Sequence, residues 1–356
     1  MHRSGRQSPQ GFTMIELLVA MAVTIVVVGG AVLLFSNSME TSNRTLRYSE
    51  VQTEARAAVS QMTRDFSQAG TGVPLNGIPI PSVTSGGANP NFACDASQCY
   101  TGSNGSYTQG LLYKVTPGNN IGPKISELTD AIKIVYVDPE LNWSAFQAAS
   151  IAPDGSSLIM PVATTPAVTD PAVGITPGDV ILLQNTHGSA IGVATAVAGK
   201  TITFGLDPLN INQLAAPSGN IKSLATPGSN PVTYPPTQVS RLVMVTYFIQ
   251  PVAGPNGPDS RLARQVGSHA PVPIAEHIED LKFTYDVVDP ASNALTANSP
   301  DAVTGNPPTS QPGQIRKINI NVTAKAVRTE KGGDFQRINL TTSIGPRNLS
   351  FRDRYN

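Results

Sequence analysis

Phe12-Thr-Met-Ile-Glu16-Leu-Leu-Val-Ala-Met-Ala-Val-Thr-Ile-Val-Val-Val-Gly-Gly-Ala-Val-Leu-Leu-Phe35 is apolar over 24 residues and carries one charge, Glu16. As a helix at about 1.5 Å per residue it reaches about 36 Å, enough to cross a hydrocarbon core of about 30 Å. Residues 1–11 are polar, with Arg3 and Arg6 and no acid. The positive-inside rule therefore keeps them in the cytoplasm and exports the chain beyond Phe35. A cleavable secretory signal fits less well, because its apolar core is about 7–15 residues long and ends at a small-residue site. Ser36-Asn37-Ser38-Met39-Glu40 match such a site poorly. A plain signal anchor accounts for the hydrophobicity but not for Glu16.

A carboxylate within a membrane span costs about 2.5–3.5 kcal/mol near the helix centre and less towards an end, so such charges usually find a partner. Glu16 is fifth counting from Phe12. Cutting between Gly11 and Phe12 would create an α-amine one helical turn away, or beside the carboxylate of a neighbouring subunit. Pairing the two offsets the burial of both.

Gly11-Phe12-Thr-Met-Ile-Glu16-Leu resembles the type IV prepilin cleavage and methylation signature. The resemblance implies that a prepilin peptidase cuts after Gly11 and methylates the Phe12 amine. It implies that Glu16 guides assembly by pairing with the N-terminus of an adjacent subunit. Over most of the chain a looser likeness extends this. Asp65-Phe66-Ser-Gln-Ala69-Gly70, Gly178-Asp179-Val-Ile-Leu-Leu, Arg261-Leu-Ala-Arg264 and Ile274-Ala-Glu276-His-Ile278-Glu-Asp-Leu281-Lys-Phe283 together look like the W-type minor pilins. These are similar to the J-type pseudopilins of type II secretion. The implied partners are the peptidase, other minor and major pilins, the inner-membrane assembly platform, and membrane lipid before assembly. Major pilins often carry a Pro in the membrane half of the helix, and this span has none.

Past the membrane the helix is expected to continue. Residues 36–69 hold no Pro and no Gly, and Val51, Ala55, Ala58, Val59, Met62 and Phe66 fall on one face at steps of three and four. Gly70 is the expected C-terminal cap. Gly29-Gly30 admits either local bending or close helix packing. The 31 glycines and 30 prolines, about 17% of the chain against an average of about 12%, indicate many turns and long loops. Residues 70–110 read as an irregular excursion. Strand-like runs succeed it at 111–116, 131–137, 179–184, 190–196, 200–204, 241–249, 261–266, 279–287, 316–327 and 336–343. Leu281, Phe283, Tyr285 and Val287 alternate with polar residues, as do Ile318, Ile320, Val322, Ala324 and Ala326. Period two marks sheets with one buried face. A faint helical period lies at Leu141–Ser150.

The predicted fold is α+β and type IV pilin-like, one long N-terminal helix packed on antiparallel sheet with long loops. The predicted organisation is a leader over 1–11, the transmembrane and assembly half of the helix over 12–35, its amphipathic half over 36–70, and an exported β-rich domain over 71–356.

The remaining chemistry is sparse. Cys94 and Cys99 suit a small disulfide loop in an oxidising compartment, the alternative being two unrelated thiols; two cysteines alone cannot complete a structural zinc site. The histidines at 2, 187, 269 and 277 lack metal-ligand spacing and read as turn or surface residues. No nucleophile elbow, phosphate loop or EF-hand spacing is present, so neither catalysis nor a cofactor is expected. Without residues 1–11 the chain has 22 basic and 24 acidic residues, which gives no bulk attraction to nucleic acid. Arg316, Lys317, Lys325, Arg328, Lys331 and Arg337 cluster loosely and read as a solvated face rather than a nucleic-acid site. The functional expectation is a minor pilin of a pilus priming or tip complex. The alternatives are a J-type pseudopilin, and an anchored periplasmic enzyme or adhesin.

Overall fold

A computed structural model describes residues 12–81, 91–94, 99–101, 111–141, 143–254, 257–289, 292–300, 312–329 and 335–349. The expected leader over residues 1–11, with the cleavage-site residue Gly11, lies outside the described residues. One helix, α1, runs over Met14–Gln68. The chain divides into two compact units between Glu50 and Val51.

In the first unit every residue from Phe12 to Met39 is exposed, including the large apolar side chains. The helix is long and apolar enough here to cross a membrane. A soluble domain leaves no such continuous apolar surface in water. Hydroxyls on this stretch bond inward: Thr24 Oγ1 donates to the Ala20 carbonyl at 2.7 Å, which removes a polar group from the apolar surface.

In the second unit the helix buries Val51, Ala55, Ala58, Met62 and Phe66, with Val59 half-buried beside them. The small residues bring the backbone close, and Met62 and Phe66 fill the space beyond. Phe66 meets Tyr247 edge-on at 5.6 Å and Phe283 at 6.0 Å. The helix ends where expected. Gly70 has φ 82° and donates its N–H to the Val135 carbonyl at 2.8 Å, tying the terminus to a sheet strand.

Among the described residues all β-pairing is antiparallel. The main sheet has seven strands. Gln238–Gly254, the longest, pairs with Val180–Asn185, Ala131–Val137 and Gly257–Val266 along successive parts of its length. Gly188–Val193, Val115–Gly118 and Val272–Glu276 extend the sheet. A second sheet orders Leu295–Ser299, Ile278–Val288, Ile315–Thr329 and Phe335–Ile344. Leu281, Phe283, Tyr285 and Val287, and Ile318, Ile320, Val322, Ala324 and Ala326, are all buried in one core with the helix stripe and the inner face of the main sheet. The alternation read from the sequence thus points the apolar set inward.

Several features differ from expectation. The run at 111–116 divides into Leu111–Leu112 and Val115–Gly118, which belong to different sheets. Short strands at Ile78–Pro79, Ser150–Ile151 and Ser157–Ile159 fall where no run was read, as does most of Ala196–Ala198. The 131–137 strand stands as read, but 241–249 is the middle of a 17-residue strand, because different neighbours satisfy different parts of its backbone. Val272–Glu276 and Leu295–Ser299 are strands the apolar pattern does not mark, the first containing Pro273 and the second mostly exposed. Leu141–Ser150 is not helical. Leu141 and Trp143 anchor a separate core with Leu158, Ile181, Ile202, Phe204 and Ile221, and the Trp143 indole donates to the Pro166 carbonyl at 2.9 Å. Side-chain anchoring at a turn, not helix burial, sets that spacing.

Candidate functional site

The N-terminal turn of α1 is built on Thr13 and Glu16. The Thr13 N–H and its hydroxyl both donate to Glu16 Oε2, at 2.9 and 3.0 Å. The Glu16 N–H returns to Thr13 Oγ1 at 3.4 Å. This reciprocal pattern is a capping box: Thr-x-x-Glu satisfies donors that an α-helix start leaves open. An anionic group also suits the positive end of the helix dipole. The carboxylate is therefore held over the first turn, folded back toward the Phe12–Thr13 bond. Phe12 itself is described and exposed. In the sequence Glu16 stands out by its cost in lipid and Thr13 does not; the signal that finds Thr13 is the three-residue spacing.

The candidate disulfide pair lies on a short hairpin. Asn91–Cys94 pairs with Cys99–Thr101, and the ladder sets Cys94 directly opposite Cys99. Cross-strand positions in an antiparallel ladder have Cβ atoms about 4.5–5.5 Å apart.

Two stretches of the looser likeness meet in the core. Asp65, from the end of the helix, accepts from Arg264 Nε at 2.6 Å and from the Tyr247 hydroxyl at 2.6 Å on the same oxygen, Oδ2. Asp65 sits on the buried stripe although it is charged, which the apolar period does not anticipate. Burial, together with the Asp65 charge, pushes the Tyr247 hydroxyl far up, and burial and the same charge raise Tyr136 to about 12. The Tyr247 phenol thus stays protonated near neutrality, as its donated bond to Asp65 requires.

His269 and His277 both find carboxylates. His269 Nε2 lies 3.0 Å from Asp179 Oδ1, and Asp179 Oδ2 accepts from the Thr176 N–H at 2.8 Å. Arg241 bonds Asp138 through Nε at 2.7 Å and the Gly174 carbonyl at 2.9 Å. These groups border a cavity of about 180 Å³ lined by Asp138, Asp179, Arg241, Val266 and Gly267. Each charged wall group has a protein partner. His277 Nδ1 lies 2.6 Å from Asp259 Oδ2, at the single residue joining strands 272–276 and 278–288. Its φ of 58° makes the chain change sheets there. Among the described residues no group of three or more His, Cys, Asp or Glu side chains is placed to hold a metal ion.

Three residues of the basic cluster have carboxylate partners. Lys317 pairs with Asp286 at 3.7 Å, Lys325 with Asp259 at 3.7 Å, and Arg337 with Glu279 at 2.5 Å. Arg316 turns its Nη1 to the Gly313 and Ile315 carbonyls. The side chains of Arg328 and Lys331 lie outside the described residues.

Residues 6–32 match the family described as a prokaryotic N-terminal methylation motif. Over 88 residues the chain is 31% identical to the pilin-like protein PilA3 of Thermus thermophilus. That match covers 23% of this chain and 38% of the relative, so the chain spans well under two thirds of the length of the curated relative it matches. No solved structure matches the chain.

Proposed function

We infer that this protein, whose methylation motif and Thermus relative support membership of the type IV pilin family, is a minor pilin of the W type. In this reading it is a structural subunit, not an enzyme. The leader stays in the cytoplasm, the apolar half of the helix lodges in the inner membrane, and the β-rich domain lies outside it. A prepilin peptidase cuts after Gly11 and methylates Phe12. The subunit then leaves the lipid for a priming or tip complex with other minor and major pilins on the inner-membrane platform.

The observation that carries this reading is Glu16: a carboxylate in the first turn of a fully exposed apolar helix, held by Thr13 close to the bond that cleavage would make terminal. An amine of an adjacent subunit can take over the acceptor that Thr13 occupies, so the charge passes from cap to intersubunit pair without being left bare in an apolar bundle. The Cys94–Cys99 register supports a disulfide in the exported domain.

The test is mass spectrometry of the N-terminus of native protein. The expected species begins at Phe12 with one added methyl on its amine. Retention of Met1, or any other start, sinks the assignment. Glu16→Ala is expected to be cleaved normally yet to enter filaments poorly, read by comparing sheared and membrane fractions. Pull-down of secretion-system partners instead of pilins would make the chain a J-type pseudopilin with the same N-terminal chemistry.

A further inference from the structure

The loop between strands Val115–Gly118 and Ala131–Val137 closes on a charge it does not itself carry. Asn120 adopts φ 55°, which turns the loop back on itself. Thr129 hydrogen-bonds the Pro123 carbonyl through both N–H and hydroxyl, at 3.2 and 2.9 Å, narrowing the turn. Asp130 then grips the second sheet. Its N–H donates to the Leu281 carbonyl at 2.9 Å, and its Oδ2 accepts from the Phe283 N–H at 2.8 Å. Its Oδ1 accepts from the Asn120 N–H at 2.9 Å.

Into this turn reaches Lys282 from the second sheet. Its Nζ donates to Asn120 Oδ1 at 2.5 Å and to the Leu128 carbonyl at 2.5 Å, and lies 3.4 Å from Asp130 Oδ1. One amide oxygen, one peptide carbonyl and one carboxylate, all from a single short loop, thus converge on one positive centre. That is the donor set by which loops bind hard cations such as calcium. A second, independent sign of unspent acceptor capacity lies alongside. Asp280 shares the outer face of the strand with Lys282, and its enclosed Oδ1 has no hydrogen-bond partner among the described residues. Glu127 and Asp130 add negative charge near Asp280, and burial is the main cause that raises the pKa of both Asp130 and Asp280 from the ordinary value. The cluster holds more carboxylates than Lys282 can neutralise.

We propose that residues 119–130 form a cation-binding loop whose cation is the ammonium of Lys282, so that the loop is latched to the second sheet without a bound metal ion, and that removing the ammonium opens a divalent-cation site there. The latch is independent of the pilus reading: it concerns how the exported domain holds its own loop.

The experiment is limited trypsinolysis of the purified full chain at Lys124, an exposed residue in the loop, with either calcium or chelator. The parent is expected to be cut slowly at Lys124, at the same rate in both. Lys282→Met keeps the aliphatic stem and removes the charge. It is expected to be cut about tenfold faster in chelator, as a local opening equilibrium shifts, and to return toward the parent rate in calcium. Adding Asp130→Asn to Lys282→Met should abolish the calcium effect. Terbium luminescence supplies a second readout, with binding expected in Lys282→Met above that of the parent. Unchanged cleavage of Lys282→Met would show that the ammonium does not hold the loop. Faster cleavage that calcium leaves alone, with no gain in terbium binding, would show a lysine contact without a cation site.

Discussion

Glu16 and Asp65 are both carboxylates on the same helix, and each is answered differently. Glu16 turns back on Thr13 at the helix start, where the unused donors are. Asp65 turns into the core, where Arg264 and Tyr247 meet it. Their neighbours in sequence give opposite cues: Glu16 is conspicuous because everything around it is apolar, whereas Asp65 sits between Arg64 and Phe66 and looks ordinary. Removing a buried charge partner leaves the other charge unpaired, at about 3–5 kcal/mol. Asp65→Ala is therefore expected to lower the unfolding free energy of the β-rich domain by an amount in that range, measured by urea titration. Asp65→Asn keeps an acceptor for Tyr247 and is expected to lose less. Equal stability of Asp65→Ala and parent would mean that the clamp is not holding the helix.

At the level of elements, hydrophobic spacing is reliable where one face is buried and silent where pairing alone makes the strand. The stripe from Val51 to Phe66 and the alternation of 281–287 and 318–326 are such faces, and all of these apolar residues but Val59 are buried. Strands 272–276 and 295–299 exist because neighbours with the right backbone lie beside them. The Cys hairpin belongs to the second kind: a four-residue connection brings Cys94 opposite Cys99 whatever the strands' own preferences. Closing so small a loop is worth about 2 kcal/mol in the chain-entropy account. Protein purified without reductant is expected to yield one peptide pair linked through Cys94 and Cys99 by mass spectrometry. Cys94→Ser should then lower the melting temperature in the absence of reductant but not in its presence. Two alkylatable thiols in native protein would remove the bridge.

Across the β-rich domain, charge pairs join strands that are far apart in sequence, and one such junction makes stability depend on pH. The hydrogen bond to Asp179 raises the His269 pKa, against the opposing effect of burial. Burial works to raise Asp179, but the bonds from His269 and the Thr176 N–H and the charge of Arg241 leave it below its ordinary value. A raised histidine pKa contributes stability that is complete below the unfolded value of about 6.5 and disappears as pH climbs through the folded value. A lowered aspartate pKa contributes stability present above about 3.9 and lost as pH falls through the folded value. The pair is therefore strongest in mildly acidic solution. His269→Gln is expected to melt further below the parent at about pH 5.5 than at about pH 8.5, on either side of the histidine transition. A constant difference across that interval would exclude the pair as its source.

Amino-acid order alone determined the parts of this protein whose physics is local or one-dimensional. These are the basic N-terminal segment, the membrane-length apolar run, the lone charge at Glu16, the period of the helix stripe and the alternation of the long strands. Each is legible because it depends on residues a few positions apart and on whether they meet water, lipid or core. Tertiary structure alone decided which distant groups meet: Asp65 with Arg264, Asp179 with His269, Asp130 with Lys282, and the crossover at His277 between the two sheets. Those pairings span tens to hundreds of residues, and no local preference encodes them. They arise because burying the apolar faces fixes the strands in space, and a charge carried into that interior must then take whatever partner the packing brings within reach.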